Sequence, residues 1–169
     1  MAVKTRSLVV LVRDAEEVTI LFARRAPFGD AAKLQAQSFP YVLQPIVHGE
    51  AEADELPWET LLATAHEQQG RAWFTWLVRH TRIIAQLEPT SDPNMTYFYI
   101  MVKPEEVALL KHGPAIEELL EIPVHAVNDL DVAHHQQDAA GVRRDSRKVF
   151  VNHLEALHGI VAKLNLRAS

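Results

Sequence analysis

The chain has 169 residues, 48% of them hydrophobic, which suits a single domain (residues 1–169) with a sizeable core. Its formal net charge of -5 gives no general attraction to nucleic-acid polymers or to anionic membranes. Without cysteine, it can form no disulfide, thiolate metal site or thiol nucleophile. No apolar run approaches the roughly 20 residues of a membrane helix, and we therefore expect a soluble protein of the cytoplasm.

The N-terminal part of the chain has the composition of β-strands. Leu8 to Val12 and Val18 to Ala23 are short runs rich in β-branched residues on either side of a polar turn, which predicts a hairpin. Phe28 to Ser38 has little periodicity and is predicted to be a loop or an irregular helix. Phe39 to His48 returns to strand composition, and its two prolines favour strand ends or edges.

A helix is predicted between Pro57 and Gly70. Proline is tolerated at a first helical position because the N–H it lacks would have no partner there, and glycine is a common stop. Three apolar residues give this helix one buried side: Leu61, Leu62 and Ala65.

The C-terminal part alternates strands and helices. Tyr97 to Val102 is predicted to be a strand, and the Lys103-Pro104 pair that ends it opens a short helix through Lys111. Ile122 to Val127 is predicted to be the last strand, and the polar stretch Asn128 to Arg144 follows it. A final amphipathic helix is predicted from an apolar stripe with steps of four and three residues: Phe150, Leu154, Leu157, Val161 and Leu164.

A motif of fixed spacing spans Gly49 to Gly70. Its pattern is a glycine, five residues, a glutamate, seven residues, an Arg-Glu pair, an apolar residue, any residue, a Glu-Glu pair, any residue and a glycine. Gly49, Glu55, Glu67 and Gly70 occupy their positions in this pattern. The spacing resembles the Nudix box of the Nudix (MutT-like) hydrolase superfamily.

The flanking segments extend the resemblance over nearly the whole chain, from Leu8 to Leu164. Val18 to Pro27 is similar to the family's second strand, and Glu117 to Leu130 resembles its late acidic segment, which ends in Asp-Leu. The terminal helix lies where the family has its second long helix. The resemblance implies an α/β fold, the Nudix-like α/β/α sandwich in which a mixed β-sheet lies between helices.

The box is degenerate at the positions that carry its chemistry. In the family it binds magnesium on a diphosphate, since a hard cation prefers carboxylate and phosphate oxygens. The two most important glutamates lie four residues apart on one helix face. Here these positions are Thr64 and Gln68, and the bracing arginine is replaced by Ala63. Neutral side chains do not offset the dehydration of magnesium, so we expect the family's usual pyrophosphatase activity to be lost or altered.

Glu67 is the catalytic candidate that the resemblance leaves. With Glu55 and a carboxylate of the loop after Gly49 (Glu50, Glu52 or Asp54) it would form a displaced metal site, to which the amide oxygen of Gln68 is a further candidate ligand. This site would take Mg²⁺ or Mn²⁺ if the protein is active. A structural alternative stays open for each glutamate. Glu67 can be a solvent-facing helix residue, and Glu55 can support the start of the helix electrostatically.

Four residues are candidates for substrate binding: Arg24, Arg25, His48 and Gly49. Arginine offers a bidentate fork to phosphate groups. Since neighbouring strand residues point to opposite faces, we expect one of the two arginines to face the cleft and the other to face solvent. His48 stands where backbone carbonyls approach the metal in the family, and an imidazole there would block or replace that metal.

Two further clusters have both a chemical and a structural interpretation. The adjacent pair His134 and His135 provides ligand types for zinc, although adjacent loop histidines are more often solvated. The aromatic side chains of Trp73, Phe74 and Trp76 could stack on a base, but core packing is the more frequent use of such a run.

Three functions remain open from the sequence. The first is a Nudix-like domain that binds a nucleotide or nucleoside-diphosphate derivative and has lost or altered the family's hydrolysis. The second is an active hydrolase of such a derivative, in which a metal at a displaced site activates the attacking water. The third is a protein-interaction scaffold with no nucleotide ligand, because a fold does not fix a function. A homodimer is compatible with all three.

Overall fold

The computed structural model describes residues 4–25, 41–51, 56–112, 116–139 and 141–165. Within these ranges the strands form one mixed nine-stranded sheet. The strands are β1 (Lys4–Asp14), β2 (Glu17–Arg25), β3 (Leu43–Pro45), β4 (Val47–Ala51), β5 (Ala85–Gln86), β6 (Met95–Val102), β7 (Ile116–Pro123), β8 (Asp131–Ala133) and β9 (Lys148–Phe150). The helices are α1 (Pro57–Gln69), α2 (Arg71–Arg79), α3 (Pro104–Val107) and α4 (Val151–Lys163).

Strand β1 is central to the sheet. It runs parallel to β6 and antiparallel to β2 and β4, and its N-terminal half pairs with β4. The predicted hairpin of β1 and β2 is therefore confirmed. Strand β2 continues into antiparallel pairs with β3 and β7, and β3, β9 and β8 form a parallel group. In the β1–β4 register, Ser7 lies opposite His48.

Both faces of the sheet are buried, since neighbouring residues of a strand point to opposite sides. On one face, Leu8 and Val10 of β1 pack in a cluster with Leu61 of α1 and Trp73 of α2. On the other face, Val9 and Leu11 belong to a second cluster with residues of α4: Ala156, Leu157, Ile160 and Val161. The predicted α/β/α sandwich with a mixed sheet is confirmed.

Helix α1 has the predicted bounds within one residue. Pro57 lies at its start, and Gly70, with a φ of 89°, ends it in a conformation that favours glycine. The chain then enters α2 directly. The run from Trp73 to Val78 is therefore helical, and Trp73 and Leu77, four residues apart, are its buried side.

Several predicted bounds in the C-terminal half are wrong. The last long strand begins at Ile116 and ends at Pro123, and residues 124–129 form a 3-10 helix. The polar stretch after it includes the short strand β8. Helix α3 ends at Val107, before the predicted Lys111. Phe150 ends β9, so α4 begins one residue later than predicted.

The segment Phe28 to Ser38, predicted to be a loop or an irregular helix, lies outside the described residues. None of the described helices has the length and apolar character needed to span a membrane.

Candidate functional site

Gly49 allows strand β4 to pack directly on helix α1. A Cβ atom at this position would lie 2.7 Å from Oγ1 and 2.8 Å from Cγ2 of Thr64, closer than real Cβ atoms come to their neighbours. A side chain larger than hydrogen would therefore force Thr64 or helix α1 to shift. The Thr64 side chain consequently faces the backbone of Gly49.

Gln68 binds the backbone of His48 through both ends of its amide. Its Nε2 donates to the His48 carbonyl oxygen at 2.9 Å, and its Oε1 accepts from the His48 N–H at 3.3 Å. This pair of hydrogen bonds resembles the pairing of two peptide groups in a sheet. It joins α1 to β4, and it engages both the amide oxygen of Gln68 and the carbonyl oxygen of His48. Both of these oxygens are potential ligands of a hard metal ion.

The described part of the α1 face does not provide the donors of a magnesium centre. Glu67 is exposed and has no hydrogen bond or ion pair within the described ranges. Glu55, the other predicted carboxylate ligand, lies outside those ranges. Among the described residues no three His, Asp or Glu side chains are arranged to hold a metal ion. Magnesium is held by several carboxylate or phosphate oxygens, so the described residues do not fit it.

A second site lies where the ends of several strands meet the start of α4. It is a cavity of about 280 Å³, termed the histidine cavity. Its polar lining consists of Arg25, Gln44, His48, His134, His135, Asn152 and His153. These side chains come from β2, β3, β4, the segment after β8 and the first turn of α4, so residues distant in sequence converge here.

Two imidazoles form the centre of this cavity: that of His48, which is half-buried, and that of His153, which is buried. Their ring centroids lie 5.2 Å apart in an edge-to-face arrangement. The Nδ1 atom of His48 is 2.6 Å from the hydroxyl of Ser7, and that of His153 is 2.7 Å from the hydroxyl of Tyr97. Each ring is thus fixed by a buried hydroxyl behind it. This leaves the Nε2 edge of each ring as the group that can meet a ligand.

The surroundings favour the neutral form of both imidazoles. Burial, with a smaller contribution from the positive charge of Arg25, lowers the pKa of His48 to about 4. Burial, followed by His48 and Arg25, lowers the pKa of His153 well below its ordinary value. Burial also raises the pKa of Tyr97, so its phenol stays protonated. With that phenol as donor to Nδ1, the neutral ring of His153 carries its own proton on Nε2.

The neighbouring arginines Arg24 and Arg25 have different positions. Arg25 lines the cavity, and its Nε donates to Gln44 Oε1 at 2.8 Å. Arg24 is only 3% exposed. Its Nε donates to Glu118 Oε1 at 2.5 Å, and its Nη1 donates to the carbonyl oxygens of Tyr41 and Ser146. The expectation that one arginine faces solvent is wrong, because Arg24 uses its donors to tie β2 to β7 and to two loops.

His134 and His135 lie at the rim of the histidine cavity. Their side chains are exposed, and both backbone N–H groups donate to Asp138 Oδ2, at 3.1 and 2.9 Å. The segment is therefore held by a local carboxylate. The zinc site considered for this pair lacks a third ligand, since the described residues contain no group of three metal-binding side chains.

The aromatic run in α2 belongs to the core. Trp73 is fully buried, and Phe74 and Trp76 pack against the same cluster. The rings of Trp73 and Trp76 stack at 4.9 Å, and His80 stacks on Trp76 at 4.1 Å. Of the two interpretations of this run, the described packing matches the structural one.

Sequence reasoning missed five residues of the site: Ser7, Gln44, Tyr97, Asn152 and His153. Two of them carry a usable signal. Ser7 directly precedes the apolar run of β1, and His153 lies among the apolar residues that form the stripe of α4. A polar side chain on a buried face needs a partner, which marks both positions. Their partners lie 41 and 56 residues away, so the pairs themselves need the fold.

No protein-family model and no curated protein sequence matches the chain. Solved structures do match its fold. A MutT/nudix family protein from Enterococcus faecalis gives a TM-score of 0.57 at 14% identity over 98% of this chain. This chain spans 63% of the length of that protein.

In contrast, this chain spans most of the length of two further solved structures. The NUDIX domain of NrtR from Shewanella oneidensis, complexed with ADP ribose, gives a TM-score of 0.56 at 11% identity, over 97% of this chain and 89% of that one. A NUDIX hydrolase from Alicyclobacillus acidocaldarius gives a TM-score of 0.52 at 14% identity, over 96% of this chain and 92% of that one. Likeness at such low identity establishes the fold, and the chain therefore has the fold of the Nudix hydrolases.

Proposed function

We propose that this Nudix-fold chain binds a nucleotide or nucleoside-diphosphate derivative in the histidine cavity without a metal ion. We further propose that it lacks the family's usual pyrophosphatase chemistry. The Gln68 amide carries this proposal. It occupies the helix position where the sequence resemblance places an essential carboxylate, and both of its ends are bonded to the backbone of His48. A metal there would have to displace two hydrogen bonds to gain only neutral ligands.

The lining of the histidine cavity supports a polar, anionic ligand. Arg25 provides one cation, Gln44 and Asn152 provide amides, and the two imidazoles provide ring N–H groups or lone pairs. The volume of about 280 Å³ lies at the small end of ligand pockets and suits one phosphate or one ring of a larger molecule. A structural neighbour complexed with ADP ribose makes that compound the first ligand to test.

The test compares ADP-ribose binding in EDTA and in Mg²⁺ by isothermal titration calorimetry, with an assay for nucleoside monophosphate release. We expect the same affinity in both buffers and no release. Arg25→Met should weaken binding about tenfold or more, because a hydrogen bond to a charged group contributes about 1.5 to 3 kcal/mol. Arg82→Met, which removes an exposed arginine outside the cavity, is the matched control and should leave the affinity unchanged.

Hydrolysis that requires Mg²⁺ or Mn²⁺ would contradict the proposal. If Glu67→Gln abolished that hydrolysis, the displaced metal site would be the better explanation.

A protein-interaction scaffold is the second candidate, and one surface favours it. Trp58 is 49% exposed and lines a cavity of about 360 Å³ together with Ile84 and Phe98. Leu56 and Ile83, each 53% exposed, lie within two residues of Trp58 and Ile84 in sequence. Exposed apolar residues of this size are typical of interaction surfaces. Absence of thermal stabilisation by any member of a broad nucleotide panel would favour this function over the first.

A further inference from the structure

Helix α4 begins inside the histidine cavity. Its first three residues, Val151, Asn152 and His153, all line that cavity. The residue before them provides no side-chain cap. The first N–H groups of a helix have no partner within the helix, and together with the helix dipole they favour an anion. An uncapped helix of 13 residues that opens into a cavity is therefore a candidate anion site.

His153 provides an independent indication of a ligand. It is 4% exposed, and only its Nδ1 atom has a hydrogen-bond partner within the described residues. His153 lines the cavity while its Nδ1 atom is held by Tyr97, so its Nε2 edge is the part of this largely buried ring that remains for a ligand. His48 has the same arrangement, with Ser7 at Nδ1 and Nε2 unpaired in the described part of the chain.

We propose that the start of α4, the two imidazoles and Arg25 form a subsite for a tetrahedral oxyanion, and that the subsite takes up a proton when the anion binds. The phosphate of the ligand would occupy this subsite, so the inference rests on the proposed function. Helix N–H groups and Arg25 attract the anion, and the Nε2 edges of His48 and His153 supply further donors.

Proton uptake follows from the crowding of cationic groups. Arg25 and two imidazoles share one cavity, and three positive charges in so small a volume repel one another and lose hydration. In the empty cavity the imidazoles are therefore neutral at neutral pH, as their lowered pKa values indicate. A bound dianion offsets the repulsion and raises those pKa values. Because the bound state then holds more protons than the free state, affinity increases as the pH falls.

The hydroxyl partners permit both protonation states. A neutral imidazole accepts at Nδ1 and a charged one donates there, and the hydroxyls of Ser7 and Tyr97 can serve in either role. The fold therefore need not change when a proton is added.

The charged and titratable groups around the imidazoles come from each neighbouring element. Asp92 accepts a hydrogen bond from Asn152 Nδ2 at 3.3 Å, and, after burial, its negative charge contributes to the raised pKa of Tyr97. Gln68 of α1 is neutral. The others are Arg25 of β2, Tyr97 of β6, the rim pair His134 and His135, and Glu155 of α4.

Sulfate is a suitable probe, because it stays a dianion over the pH range in which histidine titrates. The experiment follows the ring nitrogens of all nine histidines by NMR in the ¹⁵N-labelled chain, from about pH 8 to about pH 4.5, in sulfate and in chloride at equal ionic strength. We expect sulfate to raise the pKa of His48 or His153 by about one unit or more. The affinity for sulfate should increase by up to about tenfold per pH unit for each proton taken up.

Two variants test the assignment to the inner imidazoles. Arg25→Met should weaken sulfate binding, whereas the double variant His134→Asn/His135→Asn should retain both the binding and its pH dependence. Identical histidine titrations in sulfate and chloride would overturn the proposal, and so would loss of the effect in the rim double variant.

The ADP-ribose titration keeps the two proposals separate. A response to sulfate without binding of ADP-ribose would leave the anion subsite standing and contradict the nucleotide function. Binding of ADP-ribose without any sulfate response would support the nucleotide function and contradict the anion subsite.

Discussion

The α1 face and the histidine cavity differ in how they use their polar groups, and His48 belongs to both. Its backbone N–H and carbonyl are bonded to Gln68 on the α1 side. Its ring is held by Ser7 and adjoins His153 on the cavity side. On the α1 side the polar atoms pair with one another, whereas in the cavity the described hydrogen bonds of the two imidazoles involve only Nδ1, and α4 begins without a side-chain cap.

The α1 face keeps the geometry of the family motif but not the charged side chains that carry its chemistry. Gly49 and Gly70 keep strand β4 and helix α1 in their places, because one allows close packing and the other ends the helix at a positive φ. The neutral residues between them turn that face into a packing surface. Groups suited to ligands are found across the sheet, at the start of α4. We therefore expect changes on the α1 side and at the buried Arg24 to alter stability, and changes in the cavity to alter binding.

The largest expected effect is a difference in unfolding free energy between variants of the neighbouring residues Arg24 and Arg25. Arg24→Met should lower the free energy of unfolding by about 2 to 4 kcal/mol, since it leaves two carbonyl oxygens and Glu118 without their donor. Arg25→Met loses a single described hydrogen bond, to Gln44, and should cost about 1 kcal/mol or less. Urea denaturation of both variants measures the difference. Equal losses of stability would contradict the role of Arg24 in joining β2 to β7 and to the two loops.

A smaller effect is expected from Gly49→Ala. The added methyl group meets two atoms of Thr64 at under 3 Å, and such overpacking costs about 1 to 3 kcal/mol. The double variant Gly49→Ala/Thr64→Ala should recover most of this loss, because only Cβ of residue 64, at 3.3 Å, then remains close.

Gly159→Ala is the matched control for the glycine test. The nearest atoms to its added methyl group belong to Leu87, at 3.5 Å and beyond, which is ordinary contact. Since alanine also favours a helix interior, this change should be neutral or stabilising by up to about 1 kcal/mol. A loss as large as that of Gly49→Ala would attribute both effects to glycine replacement in general.

The main elements could be predicted from the sequence wherever their signals are local. The β1 and β2 runs are apolar and β-branched, and α1 lies between a proline and a glycine. The continuous apolar signal of β7 begins only at Ile122, because acidic residues interrupt the first half of the strand. Glu118 there pairs with Arg24, which is 94 residues away, and no local pattern indicates such a pair.

The site can be predicted from the sequence only where a motif or a cluster of like residues marks it. Such signals indicate His48, Gly49 and Gln68 in or beside the family motif, and Arg25, His134 and His135 outside it. The polar residues of the cavity come from five separate segments of the chain. Their convergence depends on the β1–β4 register and on the position of α4, neither of which can be inferred from spacing. The neutral state of the histidines depends on burial, which also requires the fold.

Gln68→Glu tests the α1 side most directly, and its expected loss of stability is smaller than those of Arg24→Met and Gly49→Ala. The change removes the donor to the His48 carbonyl oxygen and places a carboxylate beside that oxygen. Because residue 68 is only half-buried, the loss in unfolding free energy should be about 1 to 2 kcal/mol in EDTA. Glu67→Gln, the reciprocal change at an exposed neighbour, should stay within about 0.5 kcal/mol of the wild type.

Magnesium should distinguish Gln68→Glu from the wild type further. A carboxylate beside a freed carbonyl oxygen offers hard ligands that the Gln68 amide does not, so Mg²⁺ should raise the unfolding midpoint of Gln68→Glu and leave that of the wild type unchanged. Denaturation of both proteins in EDTA and in Mg²⁺ measures this. If Mg²⁺ stabilised the wild type and Glu67→Gln removed that stabilisation, the α1 side would retain a metal site and the division between the two regions would be wrong.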